Sequence, residues 1–143
     1  MKVKDILNKK STTVVTITAD KTLLEASYLL AEYNIGAVVV VEKGGTSVGI
    51  LSERDIVRKM ATLKDEVFKL RVADAMTADV ITALPDDDLS HVSGVMTDKR
   101  IRHLPIMDDQ KLVGIVSIGD VVKAQLDHVE NEAYMLRQYI TQG

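Results

Sequence analysis

The sequence predicts an α+β protein: two β-α-β-β-α modules packed about a pseudo-twofold axis, with an extended C-terminal helix. Three observations predict it. One phrase occurs twice, as "VGILSERDIVRK" from Val48 and "VGIVSIGDVVKA" from Val113, 65 residues apart. Short β-branched runs and helix-period stretches follow in the same order around each copy. From the end of the second copy onward, apolar residues recur at a 3.5-residue period, from Val122 to Ile140.

The repeat extends well past the phrase. "VVTITADKTLLEA" from Val14 matches "VITALPDDDLSHV" from Val80, and "YNIGAVVVVE" matches "DKRIRHLPIMD". A fainter pair is "VKDIL" from Val3 with "VADAM" from Val72. The expected division is a first module at 1–62, a linker at 63–71, a second module at 72–128 and a helical extension at 129–143. Two copies are too few for a solenoid, so they are expected to pack face to face.

Each module opens with a short strand, "TVVTIT" or "DVITAL". A helix is expected from Thr22 to Tyr33, with Leu23, Leu24, Ala26, Ser27 and Leu30 on one side. Thr22 and Glu25 have capping-box spacing. "AVVVVE" is a continuous apolar run, the pattern of a strand covered on both faces. Gly44 and Gly45 mark a hairpin turn into "SVGILS", after which "ERDIVRKM" opens a second helix. Pro105 falls inside the equivalent strand of copy two. It donates no backbone hydrogen bond, which places it at an edge or at the module interface.

The composition bounds the function. The chain has 143 residues, 46% hydrophobic but only 3% aromatic, so the core is Val, Ile, Leu, Met and Ala. A net charge of −3 gives no reason to expect nucleic-acid binding. There is no cysteine, hence no disulfide or thiolate metal site. The start "MKVKDILNKK" has no apolar run like that of a signal peptide, and no segment has the length of a membrane helix. A soluble, cytoplasmic protein is expected. His91, His103 and His128 lack metal-ligand spacing. No nucleophile elbow, catalytic order or phosphate-binding glycine loop is present, so no catalytic residue is assigned.

Both phrases keep a serine and an aspartate three apart, Ser52 with Asp55 and Ser117 with Asp120. At a strand-to-helix junction this is an ordinary capping pattern. The same geometry suits a nucleotide. Helix N-terminal N–H groups attract phosphate, a serine there can donate to it, and an aspartate can accept from ribose hydroxyls. The two readings are compatible. "DKRIRHLP" adds Lys99, Arg100, Arg102 and His103, either as a solvated strand end or as a phosphate clamp reaching the Ser/Asp turn of the other half. Copy one has Gly36 and Ala37 where copy two has Arg102 and His103, and Arg54 where copy two has Gly119.

These phrases resemble the CBS (cystathionine beta-synthase) domain family, as a tandem pair covering nearly the whole chain. The resemblance is specific at the two Gly-h-h-Ser-x-x-Asp-h-h phrases, and closest to small stand-alone pairs carrying "SERDIVR", "RIRHLP" and "SIGDVVK". It implies a regulatory sensor of an adenosine ligand, bound in the cleft between modules, and no enzyme. AMP stands first among the ligands implied, with ADP, ATP, NAD(H) and S-adenosylmethionine as alternatives, and no metal is implied. By resemblance, Asp55 and Asp120 hold ribose and Ser52 and Ser117 meet phosphate. Backbone at Thr16, Thr82, Gly36, Ala37, Val38, Arg102, His103 and Leu104, with Pro105 beside it, frames adenine. Arg54, Arg100, Arg102 and His103 neutralise phosphate. Gly119, standing where Arg54 would, makes two equal sites doubtful, so one tight and one weak or empty site is expected. The family also implies a homodimer and a separate regulated protein, which the sequence does not identify. The alternatives are a constitutive dimeric scaffold whose Ser/Asp turns are only caps and, more distantly, an enzyme acting on the nucleotide.

In the tail, Val122, Leu126, Val129, Ala133, Leu136 and Ile140 are spaced 4, 3, 4, 3, 4. Either this helix lies on its own module or it forms a seam to a second chain. The second is expected, because the pattern outlasts the module.

Overall fold

The computed structural model describes residues 1–9 and 14–142; Thr13 of the expected first strand and Gly143 of the expected tail lie outside the described residues. The mixed α+β architecture is as expected. The chain forms two compact units that do not follow chain order. One comprises Thr13–Ile81 with Asp109–Leu112, the other Met1–Thr12, Thr82–Asp108 and Val113–Gly143.

The first of these units contains β1 (Thr16–Thr18), α2 (Leu23–Tyr33), β2 (Ala37–Val41), β3 (Ser47–Ser52) and α3 (Glu53–Leu63). The sheet order is β1-β2-β3, with β1 parallel and β3 antiparallel to β2. Thr22 caps α2: its hydroxyl accepts from Glu25 N and donates to Glu25 Oε1, both at 3.2 Å. Leu23, Ala26 and Leu30 are buried, whereas Leu24 is turned outward. The run Ala37–Val40 is wholly buried, as a strand covered on both faces requires. Gly44 and Gly45 hold φ of +107° and +89° in the β2–β3 turn. The residues expected as a linker continue α3 into a 3-10 turn (Lys64–Lys69), whose Val67 lies in the core of this unit.

The other unit contains α5 (Leu89–Lys99), β4 (His103–Asp108), β5 (Lys111–Ser117) and α6 (Ile118–Gln142). The expected strand "DVITAL" contracts to one parallel bridge, Ala83 with Ile106. Ala83 N donates to Pro105 O at 3.1 Å, and Met107 N donates to Ala83 O at 2.9 Å. The next rung of a parallel ladder would need an N–H at Pro105, which has none. Copy one has Val39 there and forms a regular strand pair. Pro105 thus ends the ladder on the outer edge of β4, in keeping with the edge placement expected for it.

The two lead-in segments serve the opposite copies. Helix α1 (Val3–Lys9) belongs to the unit built on copy two, and α4 (Val72–Ala75) to the unit built on copy one. Their backbone bonds are equivalent. Val3 N donates to Asp87 O and Lys4 N to Pro85 O; Val72 N donates to Lys21 O and Ala73 N to Ala19 O. Val3 and Val72 are completely buried in their respective cores.

The repeated glycines follow from this arrangement. A Cβ at Gly49 would lie 2.7 Å from Met76 Sδ and 2.9 Å from the Thr77 carbonyl. That close approach is the bridge between Ile50 and Thr77. A Cβ at Gly114 would lie 2.5 Å from Leu7 Cδ2. Leu7 and Met76 end the "VKDIL" and "VADAM" segments, so each phrase keeps glycine to admit a lead-in residue.

Among the described residues, no helix is long and apolar enough to cross a membrane.

Candidate functional site

The Ser-x-x-Asp turns form where a buried strand meets a helix. Ser52 has extended backbone, and its hydroxyl accepts from Asp55 N at 3.2 Å. Asp55 Oδ2 accepts from Ser52 N at 2.9 Å and from Ser52 Oγ at 3.0 Å. In copy two, Asp120 N donates to Ser117 Oγ at 3.1 Å and Ser117 N donates to Asp120 Oδ2 at 2.9 Å. Both turns are therefore complete capping boxes. Among the described residues, Asp55 engages only its Oδ2, so Oδ1 can accept from a hydroxyl. The Ser52 hydroxyl hydrogen points at Asp55, and must rotate to reach a phosphate.

The strands bring the other expected residues of copy one to this turn. Ala37 is the ladder partner of Ser52, and Gly36 O accepts from Glu53 N at 2.9 Å. Thr16 begins β1 at the same end of the sheet, paired with Val39. Arg54 is exposed on the first turn of α3. Thr16, Gly36, Ala37, Ser52, Arg54 and Asp55 thus share one end of one sheet. The Val38 side chain is fully buried, so only its backbone is open to a ligand.

Copy two repeats the plan with different chemistry. Arg102 O accepts from Ile118 N at 2.8 Å, the counterpart of the Gly36–Glu53 bond. The basic run therefore lies beside the Ser/Asp turn of its own module. Arg102 is exposed, His103 half-buried, and Leu104 and Pro105 are buried. Thr82 is exposed next to the Ala83 bridge. Arg100 caps α5 in the left-handed region, φ 55°, where copy one has Asn34 at φ 52°. Gly119 is exposed, and a Cβ there would meet only Ser117 Oγ, at 3.6 Å. Packing does not demand glycine at that position.

Sequence reasoning missed what α1 adds. Asp120 lines a cavity of about 140 Å³ together with Met1, Asp5, Lys9, Lys123 and Asp127. This is smaller than the roughly 300 Å³ of a typical small-molecule site. Its lining sets three carboxylates, Asp5, Asp120 and Asp127, beside two ammonium groups, Lys9 and Lys123. The signal was the faint "VKDIL"/"VADAM" match, which marked the lead-in as part of the repeat. Among the described residues, no cluster of three His, Asp or Glu could hold a metal ion.

Known proteins resemble this chain over both copies. The CBS domain model matches residues 3–62 and 72–127, and the chain belongs to that family. It is 37% identical over 130 residues to the mitochondrial CBS domain-containing protein CBSX3 of Arabidopsis thaliana, covering 88% of this chain and 63% of that protein. It is 34% identical to the CBS domain-containing protein YhcV of Bacillus subtilis, covering 88% of this chain and 86% of that one. Among solved structures, the CBS-domain protein ATU1752 of Agrobacterium tumefaciens superposes with a TM-score of 0.85 at 38% identity, covering 87% of this chain and 99% of that one. The CBS domain pair of protein MJ0100, in complex with 5′-methylthioadenosine and S-adenosylmethionine, gives 0.80 at 31% identity, covering 90% and 98%.

Proposed function

We propose that this chain is a regulatory module that binds an adenosine-containing ligand and does not turn it over. The observation that carries the reading is the pair of Ser-x-x-Asp turns. Each places a serine, an aspartate and the N–H groups of a helix start beside the opening of a buried strand. The MJ0100 pair, similar over nearly its whole length, holds two adenosine compounds.

In this reading the adenosine ribose hydroxyls donate to Asp55 or Asp120. A phosphate or other anionic tail takes the helix N–H groups and the serine hydroxyl. Arg54 supports the tail in copy one, and Arg100, Arg102 and His103 support it in copy two. Adenine lies against backbone at Thr16 and Gly36–Ala37, or at Thr82 and Arg102–His103. AMP is the first candidate, followed by ADP, ATP, NAD(H) and S-adenosylmethionine. The two copies bind unequally, because their cations sit at different positions. Occupancy then biases the packing of the protein toward one state, by no more than the ligand's differential affinity for the two. A separate protein reads that change.

The completed capping boxes favour a second reading, in which the turns are only caps of a scaffold. Thermal unfolding with AMP, ADP, ATP, NAD, NADH and S-adenosylmethionine, against guanosine nucleotides, separates the two. A ligand at 100 times its dissociation constant stabilises the folded state by about 2.7 kcal/mol. The expected result is a shift selective for adenosine compounds, reduced by Asp55→Ala or Asp120→Ala, with the ligand recovered unchanged by chromatography. No shift in nucleotide-free protein returns the turns to caps. Consumption of the ligand makes the protein an enzyme.

A further inference from the structure

We propose that the cavity beside Asp120 receives the tail of the copy-two ligand, and that this tail is a zwitterionic α-amino acid carried on the adenosine 5′ carbon. The proposal rests on the reading in which Asp120 holds ribose. The cavity, about 140 Å³, is walled by α1 and α6. Asp5 and Lys9 are four apart on α1, and Asp120, Lys123 and Asp127 follow at helical spacing on α6. Ile6 and Ala124 also line it, the first buried and the second half-buried, so part of the wall is apolar.

The charges of the lining select the tail. With Asp120 accepting from ribose, two carboxylates, Asp5 and Asp127, and two ammonium groups, Lys9 and Lys123, remain. Among the described residues, no ion pair engages Lys9, Lys123 or Asp127, although Asp5 with Lys9 and Lys123 with Asp127 are each one helical turn apart. Asp5 accepts from Lys2 N at 2.8 Å through Oδ2, which leaves its other oxygen. Both signs of charge are therefore open to a ligand. An α-amino acid answers both, its carboxylate accepting from the lysines and its ammonium donating to Asp5 and Asp127. Its methylenes suit Ile6 and Ala124. A phosphate tail carries negative charge alone and meets the carboxylates as like charges. In copy two the tail thus turns along α1 and α6 instead of ending at the helix N–H groups. Copy one does not repeat the pattern. Aligning the repeats sets Ala78 in place of Lys9 and Thr62 in place of Asp127, while Arg54 is added at the turn. AMP then fits copy one, and an aminoacyl adenosine fits copy two.

The test is calorimetric titration of the full, nucleotide-free chain with two probes. S-adenosylhomocysteine carries the amino-acid tail; 5′-methylthioadenosine has the same thioether and adenosine without it. The expected result is that S-adenosylhomocysteine binds roughly tenfold more tightly, the worth of one charge-assisted hydrogen bond. Lys9→Met combined with Asp127→Asn should bring the ratio of the two affinities close to one. Lys123→Met, a single change at an exposed position, should lower the same ratio and serves if the double variant folds poorly. Equal affinities in the wild-type chain, or a ratio that survives both variants, would overturn the proposal while leaving the adenosine reading in place. Binding of neither probe and of no adenosine nucleotide would overturn both.

Discussion

The two Ser/Asp turns share one backbone plan and differ in their chemistry. Ser52-Glu53-Arg54-Asp55 and Ser117-Ile118-Gly119-Asp120 make equivalent capping bonds within a few tenths of an ångström. Their glycines, Gly49 and Gly114, both admit the last residue of a lead-in segment. What is common to the copies is therefore explained by folding. What differs is not. Gly119 could carry a side chain without a clash, yet only copy one has the arginine. Copy two concentrates its cations before the neighbouring strand instead. The cores teach the converse lesson. Ile17, Ala26 and Leu51 in one unit stand where Ala83, Val92 and Val116 stand in the other. Single positions change size while the sheet-and-helix frame persists, as packed cores allow when changes compensate.

The largest expected contrast lies at the glycines. In Gly49→Ala the new methyl meets the Thr77 carbonyl, which is backbone and held by the Ile50 bridge. Denaturant unfolding should show a loss of about 1–3 kcal/mol, the cost of overpacking. In Gly114→Ala the atoms nearest the methyl all belong to the end of the flexible Leu7 side chain, so the loss should be smaller. Equal losses would mean that both lead-ins are held alike.

A smaller effect tests the basic run. Arg100 occupies a left-handed conformation in which copy one has asparagine. Arg100→Asn should raise stability by about 1 kcal/mol, because asparagine tolerates that region better. If Arg100 serves an anionic ligand, the same change should weaken binding. A gain in stability with binding unchanged would leave Arg100 as a poor cap and nothing more.

The smallest contrast concerns two equivalent exposed carboxylates. The Thr18 hydroxyl, which donates to Asp20, holds that carboxyl below the ordinary carboxylate value. Asp86 is also held low, by the hydrogen bond and charge of Lys4 at 3.1 Å. A depressed acid contributes stability that is present above its unfolded value and lost as pH falls through its folded one. Both should titrate below ordinary aspartate by NMR. Added salt should move Asp86 back toward the ordinary value and affect Asp20 less, since only the Lys4 contact is mainly ionic.

Local and periodic features were legible in the chain itself. The repeat, the caps at Thr22, Ser52 and Ser117, the Gly44–Gly45 turn and the helical tail all rest on contacts within a few residues or on a fixed period. The Ser/Asp turns were legible for the same reason, since each is a three-residue interaction. The cavity beside Asp120 was not, because Asp5 and Lys9 lie more than a hundred residues away in sequence.

By itself, then, the sequence determined two α+β modules, their capped turns and a long amphipathic last helix. Only the tertiary structure decided that "VKDIL" serves copy two and "VADAM" serves copy one. The two segments carry nearly the same pattern, so local preference does not choose between them. The choice lies in long-range bonds, Val3 to Asp87 and Val72 to Lys21, and in which side chain fits over which glycine. Tertiary structure also decided that copy two loses its first strand. The missing N–H of Pro105 matters only because the rung it would make falls opposite that segment.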